Sequence, residues 1–145
     1  MKLVVYIISV ILILTGICFA GEYKAKVTNV VDGDTIDCEI DLGFDLKLNS
    51  RIRFLNYDAP ESTHRAKGYM ERLLGLEATD YLKRLIYEKE IILKTSSEHN
   101  VRDNFGRILA DPYIIIDDQL ISITDLMTKE GYIKKEDTNG SKAKY

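Results

Sequence analysis

Mixed β-forming residues run from Tyr23 to Val31 and lead into Asp32-Gly33-Asp34, a tight-turn signal, so a strand, a turn and a second strand from Thr35 to about Asp41 are predicted. Leu42-Gly43-Phe44-Asp45 supplies the next reversal. From Lys47 to Leu55 the pattern alternates again, with Leu48, Ile52 and Phe54 apolar, which completes a three-stranded antiparallel meander. Pro60 breaks the pattern, because it lacks an amide donor and pushes Ala59 out of helical geometry, and a loop is expected from Asn56 through Gly68. Between Tyr69 and Tyr87, Leu73, Leu74, Ala78, Tyr81, Leu82, Leu85 and Ile86 recur at three- and four-residue steps, while Glu71, Arg72, Asp80, Lys83 and Arg84 take the other side. That spacing predicts an amphipathic helix, with Gly75 as its irregular point.

Downstream, Glu90 to Thr95 reads as a strand centred on Ile91-Ile92-Leu93, and Ser96 to Phe105 as an exposed polar loop. Arg107 to Ile116 is another strand, turning at Asp117-Asp118. Ser122-Ile123-Thr124-Asp125 resembles a capping box and Gly131 is a natural stop, so a short second helix follows. Five strands with a helix between the third and fourth is the element order of a five-stranded OB-fold barrel, an α+β fold that is mainly β. An unrelated α+β domain produces the same string, so element order alone does not decide function.

The N-terminus departs from this pattern. After Lys2 the uncharged stretch LVVYIISVILILTGICFA ends with Cys18 and Ala20 at the −3 and −1 positions of a cleavage after Ala20, the form of a secretory signal peptide over residues 1–20. An uncleaved membrane anchor is the alternative, because the stretch approaches the lower limit of about 17 residues for spanning a bilayer. The expectation is therefore a secreted or periplasmic protein with one domain over 21–136 and a flexible polar tail over 137–145. The whole chain of 145 residues carries 20 Lys+Arg against 23 Asp+Glu, a formal charge of −3. Cleavage removes Lys2 and leaves 125 residues at −4, so no global positive field attracts nucleic acid or anionic lipid. Any polyanion must be met by a local site. Cys38 is left without an intramolecular disulfide partner and sits in β-like alternation, which favours a buried apolar role over a nucleophilic one. His64 and His99 lie far apart in polar sequence, with no zinc or triad spacing.

Three segments concentrate charge beside turns: Asp32-Gly33-Asp34-Thr35, the run RFLNYDAPE from Arg53 to Glu61, and Asp103-Asn104-Phe105-Gly106-Arg107. Each alone has an ordinary structural reading, as a common turn, a salt-bridged strand residue or a loop boundary. Their chemical sum is more informative. Asp34 and Asp58, with a loop carbonyl, are hard oxygen donors of the kind calcium accepts. Arg53 and Arg107 offer planar forks for phosphate oxygens, and Glu61 adds a carboxylate able to polarise an attacking water. A divalent ion and two arginines around one phosphodiester neutralise the charge that grows as phosphorus becomes five-coordinate, which points to metal-assisted phosphodiester hydrolysis.

The motifs VVDGDT, RIRFLNYDAPES and DNFGR, in that order and separated by one amphipathic segment, resemble the thermonuclease family, the staphylococcal-nuclease-like OB-fold domains. The resemblance covers roughly Tyr23 to Gly131, including ISITDLMTKEG, similar to the family's second helix, and a basic loop from Ser62 to Gly68. It implies that Asp34 and Asp58 bind Ca2+ through carboxylates and Ala59 through its backbone carbonyl. It also implies that Glu61 acts on the attacking water as base or positioner, and that Arg53 and Arg107 bind the phosphate and stabilise the transition state. The implied reaction is cleavage of the bond to the 5′-oxygen in DNA or RNA, leaving 3′-phosphates with little sequence preference, by a monomer that prefers single strands. Asn104 and Phe105 stand where staphylococcal-type members carry lysine and tyrosine, and too few residues follow Gly131 for that type's third helix. A catalytically silent OB module, binding single-stranded nucleic acid or a protein partner, is the competing reading.

Overall fold

The computed structural model describes residues 21–96 and 101–134. The expected signal segment, His99 and the polar tail lie outside the described residues. Strands β1 (Glu22–Asp32), β2 (Thr35–Gly43) and β3 (Leu46–Phe54) form the predicted meander. Helix α1 (Tyr69–Ile86) follows, then β4 (Glu90–Thr95), β5 (Ile108–Ile116), β6 (Gln119–Ser122) and helix α2 (Ile123–Lys129). The strand order is β3-β2-β1-β4-β5-β6, antiparallel throughout, and a parallel β3–β5 seam, Ile52 against Ile108 to Phe54 against Ala110, closes the first five into a barrel. Closure leaves no long unpaired edge among these five.

The fold differs from the predicted one by β6, which forms a hairpin on β5 through Asp117 and Asp118, both at positive φ. Four residues are too few to show alternation, and turns with two positive-φ residues are those that match strand twist. Inside the barrel the period-two pattern places Ile36, Cys38 and Ile40 in the core beside Ile52 and Phe54. In β1 a register shift between Val27 and Asn29 changes the phase, so Val27 and Val30 both point inward although three residues apart. A second shift between Val30 and Asp32 ends the strand at the turn that carries the first acidic motif.

Helix α1 runs unbroken through Gly75 and buries Gly75, Ala78, Leu82 and Ile86, one stripe at three- and four-residue steps. Helix α2 is capped as the sequence indicates: the Ser122 hydroxyl accepts from the Asp125 amide at 3.2 Å. At its other end Gly131 takes φ 85°, with its amide on the Thr128 carbonyl and that of Tyr132 on Met127, a Schellman closure. The chain then returns to the β3–α1 loop, where Tyr57 donates its hydroxyl to the Tyr132 carbonyl and the Lys134 amide donates to Asp58 O at 2.9 Å. Cys38 is buried and its thiol is pushed up to about 12 by burial and by Asp37, so it is a core residue. Among the described residues, no helix is long and apolar enough to cross a membrane.

Candidate active site

The turn between β1 and β2 brings its acidic residues to the end of β3, because Thr35 and Arg53 are direct partners across the β2–β3 ladder. Asp34 is buried and fully engaged. Its Oδ1 accepts from the Thr35 hydroxyl at 2.9 Å and pairs with Nη1 of Arg53, while Oδ2 accepts from the Ala59 amide at 2.9 Å. Nη2 of Arg53 pairs with Asp58, so one guanidinium links two carboxylates contributed by different loops. A planar fork suits this bridge, whereas a lysine offers only a point charge. Four of the six residues singled out from the sequence, Asp34, Arg53, Asp58 and Ala59, therefore meet in one contact network.

Small residues make the approach possible. A Cβ on Gly33 would lie 2.6 Å from the Ala59 methyl and 3.2 Å from that of Ala78, and one on Gly75 would lie 2.6 Å from the Glu61 carbonyl carbon. Helix α1 thus abuts the backbone that carries Glu61. The Glu61 carboxylate accepts from the Thr63 hydroxyl at 2.7 Å and amide at 3.1 Å, and these bonds, led by the hydroxyl, hold its pKa below the usual carboxylate value. It is ionised at neutral pH, the form a base needs.

Arg107 arrives on a different device. Asp103 caps its own turn, accepting at Oδ1 from the amides of Phe105 and Arg107, both at 2.9 Å, and at Oδ2 from Arg107 Nε at 2.6 Å. Burial works against the Asp103 carboxylate, but the bonds from Arg107 and Phe105 outweigh it and lower its pKa. The Arg107 guanidinium carbon lies 5.4 Å from the Phe105 ring centre.

Asp32 joins the two halves. Burial raises its pKa, and although the Thr35 hydroxyl, Arg53 and Arg107 pull the other way, the Glu61 charge adds to the rise. Glu61 and Arg107 thus fall within the electrostatic reach of one carboxyl that also feels Arg53. An open cleft of about 640 Å³ lies here, with Asp32, Asp37, Arg51, Arg65, Phe105 and Arg107 among its lining residues. A second cavity of about 270 Å³ is mostly apolar, under Tyr23, Leu42 and Leu48, and none of the six residues lines it. His64 is exposed in the loop before α1.

Sequence reasoning left three contributors without a role. Asp32 stood in a quoted motif as one of two carboxylates, and the residues alone do not distinguish its half-buried position in the cleft from the buried, fully engaged one of Asp34. Asp103 carried a readable signal, its i,i+4 spacing to Arg107 across a turn. Gly75 carried none, because its contact with Glu61 joins a helix to a loop.

As to a metal, no group of three or more His, Cys, Asp or Glu side chains arranged to hold an ion occurs among the described residues. The Asp34 and Asp58 carboxylates and the Ala59 carbonyl are hard oxygens of the chemical type that calcium or magnesium accepts, but in this structure both Asp34 oxygens are already engaged and Arg53 pairs with both carboxylates. The Arg53 bridge shows that this pair of carboxylates receives one shared cationic group.

Residues 51–145 match the family model described as staphylococcal nuclease homologue. The chain is 35% identical over 117 residues to Endonuclease YhcR of Bacillus subtilis (strain 168), an alignment covering 77% of this chain and 9% of that protein. It is 35% identical over 127 residues to the uncharacterized protein MJ1439 of Methanocaldococcus jannaschii, covering 78% of this chain and 59% of the other. A protein of Escherichia coli named uncharacterized endonuclease is 32% identical over 108 residues, covering 74% and 60% respectively. The chain thus spans less than two thirds of the length of these curated relatives. The family match covers well over half of the chain and takes in Arg53, the Asp58–Glu61 loop and Arg107, and the barrel is closed as such domains require: the chain belongs to the staphylococcal nuclease homologue family.

Proposed function

We propose that this chain is an exported, calcium-dependent nuclease that hydrolyses phosphodiester bonds of DNA and RNA with little sequence preference and leaves 3′-phosphate ends. The observation that carries the reading is Arg53, bridged between Asp34 and Asp58 beside a cleft that also receives Arg107. Family membership and relatives named endonuclease support the hydrolytic class.

Arg53 and Arg107 take the non-bridging oxygens of the scissile phosphate and stabilise the charge gathering there as water adds. Glu61, kept ionised by Thr63, accepts the proton of the attacking water. The 5′-oxygen departs and takes up a proton, leaving phosphate on the 3′ side. A calcium ion, held by Asp34, Asp58 and the Ala59 carbonyl, supplies Lewis-acid neutralisation of the phosphate when bound. Export suits so sparse a set of donors, because extracellular calcium modules work with dissociation constants of about 10⁻⁴–10⁻³ M.

The test is hydrolysis of single-stranded DNA and of RNA by the purified chain, with calcium and with chelator, followed by end analysis of the products. Cleavage that needs calcium, leaves 3′-phosphates and falls by orders of magnitude in Glu61→Gln is the expected result. Undiminished cleavage in Glu61→Gln would sink the mechanism. Binding without cleavage at any calcium concentration would favour the silent OB module.

A further inference from the structure

The apolar pattern of the β2–β3 hairpin runs out past the barrel. Ile40 is buried and its cross-strand partner Leu48 partly so, but two residues nearer the tip Leu42 is 46% exposed and Leu46 62%. At the tip Phe44 is 100% exposed. Gly43, Phe44 and Asp45 all take positive φ, at 83°, 52° and 63°. Such turns favour asparagine and glycine, so this phenylalanine is held in a disfavoured backbone conformation with its whole ring in water. The apolar cavity of about 270 Å³ opens beside the hairpin, with Tyr23 and Val101, both exposed, among its lining residues. These side chains make one end of the barrel apolar, the mark of a surface that meets another apolar phase. The cleft lies at the other end of β1 and β2, where the turn between Asp32 and Thr35 joins them.

The chain enters the fold at the apolar end. Glu22 pairs with Lys94 across the β1–β4 ladder, the Gly21 amide donates to the Thr95 hydroxyl at 3.1 Å, and the Gly21 carbonyl accepts from the Thr95 amide at 2.9 Å. The first residue after Ala20 is therefore pinned there. Residues 3–20 are the uncharged stretch that approaches the length needed to span a bilayer. With that stretch in a membrane, Gly21 stands at the lipid surface. Tyr23 and Leu42 line one cavity, so the hairpin tip beyond Leu42 stands at that surface too.

We propose that this end of the barrel docks on a lipid bilayer, with Leu42, Phe44 and Leu46 in the boundary between headgroups and acyl chains and residues 3–20 retained as the anchor. Charge sets the depth. Asp41 and Asp45 flank Phe44 and stay among the headgroups, because a carboxylate is costly in hydrocarbon. Lys24 and Arg102 offset these two acids, and Lys47–Glu39 and Lys94–Glu22 are paired, so the end carries no positive excess and suits zwitterionic lipid. Docking turns the cleft away from the lipid. It does not depend on the nuclease reading.

The chain contains no tryptophan, so Phe44→Trp at the apolar end and Phe105→Trp in the cleft each give a single reporter. The full chain is placed in phosphatidylcholine nanodiscs, with lipids brominated near the top of the acyl chains as one quencher and aqueous iodide as the other. The emission of Phe44→Trp should shift to the blue, fall with brominated lipid and resist iodide, and that of Phe105→Trp should do the opposite. Leu46→Trp repeats the measurement at a second position of the hairpin. Emission of Phe44→Trp and Leu46→Trp that stays open to iodide while the chain remains in the nanodisc overturns the docking. Shielding from iodide without bromine quenching, in particles holding two chains, overturns it in favour of a second copy. Recovery of the exported chain as a protein that begins at Gly21 and leaves the membrane fraction overturns the retained anchor.

Discussion

The two arginines of the site are held in opposite ways. Arg53 lies within the β3 ladder, its side chain only 16% exposed, bridged to two carboxylates from separate loops. Arg107 sits at the mouth of β5, its side chain 28% exposed, and is held by Asp103 four residues earlier in the same turn. The first is a product of the whole barrel and the second of one local turn. Stability and activity should therefore be coupled at Arg53 and separable at Arg107.

Replacement of Arg53 is the strongest trial of this contrast. Arg53→Ala leaves Asp34 buried without its counter-charge, so unfolding free energy should fall by about 3 kcal/mol together with a loss of activity of at least about a thousandfold. Denaturant titration and initial rates measure the two, and an unchanged midpoint would break the contrast. Arg107→Ala should cost about a hundredfold or more in rate but less than about 1 kcal/mol in stability, measured in the same way.

Gly75→Ala asks whether Glu61 also belongs to the fold. The added methyl meets the Glu61 backbone, so an overpacking cost of about 1–3 kcal/mol outweighs the helix-propensity gain of about 1 kcal/mol. A lower kcat with KM nearly unchanged is expected, since displacement of Glu61 moves the proposed base and leaves both arginines in place. The smallest effect concerns Asp103. Its folded pKa lies below the unfolded value of 3.8, so its stabilising contribution is present above that value and is lost as pH falls through the folded one. Asp103→Asn should be less stable than the parent by under about 1 kcal/mol at neutral pH, with the difference closing below about pH 4. A gap that persists at low pH would show that the turn does not depend on this charge.

Most of the barrel was legible because period-two alternation and turn residues are local: Ile36, Cys38 and Ile40 against Asp32-Gly33-Asp34 are enough to place β2. The stop at Gly131 and the cap at Ser122 are equally local. What the pattern could not carry is anything set by a partner distant in sequence. β6 exists because β5 offers it an edge, and the contact of Gly75 with Glu61 exists because a helix crosses a loop. At the site, residue types and order singled out Asp34, Arg53 and Asp58, which the structure brings into one contact network, but not that Asp34 is buried while Asp32 lines the cleft.

The parallel seam between β3 and β5 has a kinetic meaning. It pairs Arg53 with Leu109 and sets Ile108, the residue after Arg107, against Ile52. Contacts between such remote stretches carry a large loop-closure entropy and are slow to form. Before that seam zips, the two guanidiniums belong to separate parts of a fluctuating chain and share no phosphate. Competence for the proposed hydrolysis therefore requires that seam, and a chain in which it has not formed cannot bring both guanidiniums to one phosphate.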